Sequence, residues 1–135
     1  MRSLVLLLAI FVSTTFAAAK APQKVYCESG KWPGTSIFFK NSTPEITDDS
    51  VSLPDTLYIV SPDKGSATMT ADNIETPASI TNTHYSLVSV SYTYRGVYYT
   101  DTLYDDGMVI SQLARISLLS EPLASTFYKR CKILG

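Results

Sequence analysis

From Tyr85 the chain reads Y-S-L-V-S-V-S-Y-T-Y, in which Val88, Val90, Tyr92 and Tyr94 alternate with Ser89, Ser91 and Thr93. A period of two is that of a strand buried on one face. Arg95-Gly96 follows as a two-residue turn, its glycine free to take a positive φ. The chain returns as V-Y-Y-T-D-T-L-Y and turns again at Asp106-Gly107, a strong hairpin dipeptide. The first turn pairs Tyr94 with Val97, Tyr92 with Tyr99, Val90 with Asp101 and Val88 with Leu103. A two-residue turn at 106 and 107 pairs Leu103 with Ile110, Asp101 with Gln112, Tyr99 with Ala114 and Val97 with Ile116. Both registers gather Val, Tyr, Leu and Ile on one face. Asp101 and Gln112 are the exceptions, expected opposite each other. An unpaired buried polar group costs about 1–3 kcal/mol, so the two should satisfy each other or line a cleft. Met108 to Leu119 reads as the third strand, with an amphipathic helix as the alternative, because Ile110, Leu113, Ala114 and Ser117 share a helical face.

Elsewhere Thr35 to Lys40 reads as a strand after a Trp32-Pro33-Gly34 turn, and Asn41 to Pro54 as a polar loop. Thr56 to Val60 is an apolar strand closed by a turn at Ser61-Pro62-Asp63-Lys64-Gly65. Ser66 to Thr70 and Ala78 to Thr81 are weaker strands. Ser120-Glu121-Pro122 ends the third meander strand, and Thr126 to Leu134 is the last one. The fold class is therefore mainly β: an antiparallel sheet containing a Tyr-rich meander, with at most one short helix.

Residues 1–19 carry the pattern of a signal peptide: Arg2, an apolar stretch from Leu4 to Val12, and Ala17-Ala18-Ala19 at the exit. The apolar stretch is about half of the ~20 residues that span a bilayer. Cleavage before Lys20 leaves 20–135 as a single β-rich domain without a membrane anchor, secreted and monomeric. Export makes Cys27 and Cys131 a disulfide, since an oxidising compartment favours the bridge. They lie 131 − 27 = 104 residues apart, close to the two ends, so the bond ties the mature chain into a ring. Asn41-Ser42-Thr43 is a glycosylation sequon, with Asn41 as its acceptor.

Composition excludes several chemistries. Two Cys and one His cannot supply a standard Cys/His zinc site, and no metal or cofactor is expected. The whole chain carries 11 basic and 12 acidic residues. Loss of Arg2 leaves 10 against 12, a charge of −2, unlike an ordinary basic nucleic-acid module. There is no GxSxG elbow, and Asp105-Asp106 and Asp48-Asp49 read as turn and loop chemistry. His84 stands alone beside Thr83, whereas acid–base hydrolysis ordinarily needs a His with a carboxylate; Glu45, Glu75 and Asp101 are the candidates. Cross-strand pairing accounts for Tyr92 and Tyr99 without a ligand. Tyr98, on the opposite face with Arg115 across the strand and Arg95 nearby, is the candidate recognition patch, and Asp101 with Gln112 a candidate cleft.

Val25-Tyr26-Cys27 after the leader, T-L-Y-D-D-G-M-V-I, and Phe127-Tyr128-Lys129-Arg130-Cys131 at the end resemble the small secreted ribonuclease-like effectors of plant-pathogenic fungi, of the powdery-mildew type. The resemblance implies the fold of guanyl-specific ribonucleases, hence α+β. The N-terminal helix of that fold has no convincing sequence here, and Tyr26 abuts Cys27 without the usual spacer. Where catalytic members carry Arg and His on the last hairpin, counting reaches Thr100 and Arg115. The resemblance thus implies a non-catalytic scaffold that binds a host protein or RNA, and that is taken up into host cells. The alternatives are an extracellular ribonuclease or related hydrolase, and an extracellular carbohydrate-binding β-domain.

Overall fold

The computed structural model describes residues 21–40, 43–114 and 124–135. These form β1 Lys24–Cys27, β2 Gly30–Lys40, β3 Thr43–Leu53, β4 Thr56–Ser61, β5 Ser66–Ala71, β6 Ile74–His84, β7 Leu87–Tyr94, β8 Val97–Tyr104, β9 Met108–Ala114, β10 Ala124–Arg130 and β11 Lys132–Ile133. A 3-10 turn, Pro62–Lys64, occupies the predicted turn and ends at Gly65 in the left-handed region. No α-helix occurs among the described residues, so the helical alternative for the segment from Met108 fails as far as Ala114. The leader, Asn41, Arg115 and Ser120-Glu121-Pro122 lie outside the described residues.

All strands join one curled, half-barrel antiparallel sheet in the order β11-β1-β4-β5-β6-β7-β8-β9-β10-β2-β3. From β4 to β10 each strand lies beside its neighbour in the chain. The two ends of this order are tied by covalent continuity, for β1 runs into β2 through Glu28-Ser29 and β10 into β11 through Cys131. The pairs β10–β2 and β11–β1 thus belong to one seam between the first and last stretches of the chain. The Cys27–Cys131 disulfide crosses that seam. The sheet curls so far that the seam brings its first and last parts together, while β11 and β3 remain its two edge strands.

The first four strands form one long hairpin of constant register: Lys24 pairs Ile59, Cys27 pairs Thr56, Gly30 pairs Leu53 and Lys40 pairs Thr43. Its buried side changes between the halves. Val25 and Cys27 face the core in β1, whereas Trp32 and Ser36 do so in β2. Gly30, at φ 145°, and Pro54, which lacks a ladder donor, stand at the kink. Two expectations are corrected here. Residues 43–53 are an edge strand rather than a loop; most of their side chains are exposed, which erases the apolar period that marks a half-buried strand. Trp32-Pro33-Gly34 is strand, not turn. Gly34 is needed because a Cβ there would lie 1.9 Å from the Thr126 carbonyl oxygen on β10.

The first meander hairpin has the predicted register throughout: Tyr94↔Val97, Tyr92↔Tyr99, Val90↔Asp101, Val88↔Leu103. The second differs by one residue, pairing Leu103 with Val109, Asp101 with Ser111 and Tyr99 with Leu113. Its loop holds three residues, not two. The Gly107 N–H donates to Tyr104 O at 3.0 Å and Gly107 takes φ 91°, the geometry of a three-residue hairpin with a glycine bulge. A one-residue slip exchanges the faces of a strand. Val109, Ser111 and Leu113 therefore point inward, and Gln112 is exposed instead of facing Asp101.

Gly107 is also covered by the seam: the Cys131 N–H donates to its carbonyl at 2.7 Å, and a Cβ would sit 2.5 Å from the Cys131 oxygen. Gly107→Ala is expected to cost about 1–3 kcal/mol in chemical denaturation. Gly65→Ala should cost less, since its φ is similar in sign but a Cβ there meets nothing within 4 Å. Equal losses for the two would show that the contact with Cys131 contributes nothing.

Inside the curl lies the core, with Val25, Trp32, Tyr58, Met69, Val88, Val90, Leu103, Val109 and Phe127 as its larger members. Each comes from an inward position of its strand, so alternation in sequence becomes one apolar interior.

Candidate functional site

A carboxylate stands in this apolar interior. Asp101, on β8, is fully buried. The Tyr58 hydroxyl from β4 donates to its Oδ2 at 2.6 Å, the Tyr92 hydroxyl from β7 donates to the same oxygen, and Ser111 Oγ from β9 donates to Oδ1 at 2.6 Å. Burial raises the Asp101 pKa above the ordinary carboxylate value, while the bonds from Ser111, Tyr58 and Tyr92 act in the opposite sense. Burial and the neighbouring carboxylate push both tyrosines well above their ordinary value, so they stay protonated and remain donors. Four strands are thereby pinned to one acceptor. Tyr92 also stacks on Tyr99, with ring centroids 5.2 Å apart and planes 10° from parallel.

Beside this cluster runs a groove of about 180 Å3 between β3, which supplies Val51 and Leu53, and the inner face of β8–β10, which supplies Tyr99, Ser111, Ser125 and Phe127. A second hydroxyl chain lies along it: Ser36 Oγ donates to Asp49 Oδ2 at 2.6 Å, and Ser36 and Ser125 share a hydrogen bond of 2.6 Å. A smaller cavity of about 30 Å3 adjoins the groove through Leu53, Tyr99 and Ser111 and reaches Tyr58, Tyr92 and Tyr94. A wider depression, about 440 Å3, is on the outside of β1, β4 and β5 and includes Tyr26, Leu57 and Thr70. It lies away from the buried chemistry.

The residues singled out in sequence are dispersed. Tyr98 is 52% exposed on the outer face, paired with Thr93 and Ala114. Arg95 sits in its turn at φ 50°, with Nη2 3.5 Å from Asp72 Oδ2 and its guanidinium 5.3 Å from the Tyr94 ring centroid. Gln112 faces outward between Thr100 and Thr126, so the predicted Asp101–Gln112 cleft does not exist. His84 is exposed at the end of β6, its ring centroid 3.8 Å from that of Tyr85 and Nδ1 3.4 Å from Ser86 Oγ. Asp101 is in the interior, so the two do not form an acid–base pair. Among the described residues no three His, Cys, Asp or Glu side chains converge as a metal site.

Sequence reading missed Tyr58, Ser111 and the Ser36–Ser125 pair. Tyr58 occupies an inward position of T-L-Y-I-V, and a loop counted as three residues would have placed Ser111 opposite Asp101. Nothing in the sequence joins Ser36 to Ser125, whose strands meet across 89 residues.

The fold and site thus define a disulfide-tied, curled antiparallel β-sheet protein with a buried carboxylate at its centre. Comparison with protein-family models, with curated proteins and with solved structures finds no match.

Proposed function

We propose that the mature chain is a secreted, non-catalytic binding protein of the effector type, and that it grips a host protein through the outer face of β8, β9, β10, β2 and β3. The observation that carries this reading is an unbroken apolar row across those strands. Tyr98 pairs with Ala114, Ala114 with Ala124, Ala124 with Ile37, and Ile37 with Ile46. Ile46 is 72% and Tyr98 52% exposed, so the row is anchored in solvent at both ends. Contiguous exposed apolar surface of this kind marks interaction sites. The row ends on β3, the edge of the sheet, where backbone donors and acceptors lie beside it for an extended partner segment. A protein suits the row better than RNA does. The row itself contains no cation, Asp48 points outward two residues from Ile46, and RNA binding rests on phosphate neutralisation. Support for export comes from the leader pattern and from the disulfide.

The purified 20–135 chain is expected neither to bind nor to cleave RNA. A host-extract protein recovered on immobilised wild type should be missing from Tyr98→Asp/Ile46→Asp, with the variant's melting temperature within a few degrees of wild type. RNA turnover that vanishes with His84→Ala would overturn the non-catalytic reading, and equal recovery on the double variant would overturn the surface.

A further inference from the structure

We infer that the inner groove between β3 and β8–β10 is a binding site for a small neutral polyol with one apolar face, a single monosaccharide ring. This site lies on the inner face of the sheet and does not depend on the outer row.

The chemistry follows from counting protons. A hydroxyl has one proton to donate and two lone pairs to accept with. Ser36 gives its proton to the Asp49 carboxylate, so in the Ser36–Ser125 bond the proton must come from Ser125. Ser111 gives its proton to Asp101. Ser111 and Ser125, two of the three serines that line the groove, therefore have their protons committed to the wall behind them, and what their Oγ atoms turn to the groove is acceptor only; Ser50, the third, is exposed at the rim. Ser111 is 2% and Ser125 6% exposed, so these oxygens lie in a largely dehydrated place where an unmet acceptor is costly. The complementary ligand brings donors.

The opposite requirement comes from the aromatic lining. Tyr99, held by its stack on Tyr92, and Phe127 present ring surface to the same space, joined by Leu53 and Val51. A molecule with hydroxyls along one edge and C–H groups on its face meets both demands. At about 180 Å3 the groove falls below the ~300–1,000 Å3 of sites for drug-sized ligands, which fits one ring and excludes a chain lying wholly within it. The Asp49 carboxylate, which receives Ser36 Oγ and the Ser50 N–H at 2.8 Å, lines the same groove and disfavours an anion, while the apolar rest of the lining favours a neutral molecule over a cation that would have to shed its hydration.

An independent observation points to the same place. Among the described residues the buried Tyr94 hydroxyl has no hydrogen-bond partner, and Tyr94 lines the small cavity that adjoins the groove through Leu53, Tyr99 and Ser111. Buried hydroxyls are ordinarily paired, so a ligand substituent or a ligand-ordered water reaching this cavity would meet an open valence.

The test is an NMR titration of the oxidised 20–135 chain with glucose, galactose, mannose, N-acetylglucosamine and myo-inositol, with butylammonium and inorganic phosphate as charged probes. One neutral ring is expected to saturate with a Kd of about 1 mM or tighter and to shift Tyr99 and Phe127 ring resonances. Ser125→Ala, which leaves the Ser36–Asp49 bond intact, should weaken it about tenfold. Leu113→Phe, which fills the groove from its floor, should abolish it. Tyr98→Asp/Ile46→Asp should leave it unchanged, so failure here and failure of the outer surface are read separately. No saturable shift with any neutral ring, preference for butylammonium or phosphate, or binding indifferent to Ser125→Ala and Leu113→Phe would overturn the assignment.

Discussion

Asp101→Leu will destabilise the protein by about 3 kcal/mol or more, against roughly 1.5–3 kcal/mol for Tyr58→Phe or Tyr92→Phe alone. Leucine leaves three buried hydroxyls, on Tyr58, Tyr92 and Ser111, without the acceptor they share. Each orphaned donor costs on the order of 1–3 kcal/mol, and the relief from no longer burying a charge offsets only part of that sum. The tyrosine variants each remove one donor and keep the rest. Urea denaturation measures all three; a leucine variant as stable as wild type would mean that the cluster adds nothing to the scaffold.

The same carboxylate sets a pH dependence of unusual sign. Its folded pKa is raised by burial, so between the unfolded and folded values the native state holds more protons than the unfolded one. Its contribution to stability is complete below the unfolded value and is lost as pH rises through the folded one. Wild type should therefore lose stability relative to Asp101→Asn as pH climbs from below the ordinary carboxylate value. Paired denaturation curves at several pH values read this directly. A gap that stays constant, or moves the other way, contradicts the burial.

Removing the Cys27–Cys131 bond is the second large effect. Closure of a loop of ~100 residues contributes up to ~4.7 kcal/mol through the unfolded chain, and loss of such a bond from a small secreted domain ordinarily costs about 2–5 kcal/mol. Against a total of about 5–15 kcal/mol, the Cys27→Ser/Cys131→Ser variant should be marginal at 37 °C. The loss should also be local before it is global. β1 and β11 pair through two residue pairs, flanked by bonds from Gln23 N to Gly135 O at 2.9 Å and from Leu134 N to Lys24 O at 2.7 Å. Hydrogen exchange at those amides should accelerate in the variant well before that of β7 and β8. Uniform acceleration throughout the sheet would contradict this order.

What could be read in advance follows from locality. The β7–β8 register was legible because a two-residue turn with glycine fixes it and both strands alternate cleanly. The β8–β9 register was not, because Asp105-Asp106-Gly107 serves equally as a two- or three-residue loop until the Gly107 N–H is seen to bond Tyr104. That ambiguity moved Gln112 out and Ser111 in, and with them the whole candidate site. The edge strand β3 was hidden because a strand wet on most of its surface carries no apolar period. Met108 to Ala114 resolved as strand because its partners on both sides, β8 and β10, demand ladder bonds that a helix would withhold. The disulfide was inferable from the leader pattern and the cysteine count alone. The Ser36–Ser125 contact depends on how far the sheet curls, which no local pattern encodes.

The seam between the first and last strands has a consequence for synthesis. Every other neighbour relation in the sheet links segments close in the chain and can zip hairpin by hairpin as they emerge from the ribosome. The seam alone must wait for residues near Gly135, and until then the amino-terminal strands have an unmatched border. Oxidation of the two thiols is thus the latch on the final act of assembly, and a polypeptide that stopped before Cys131 would leave its ring unfastened.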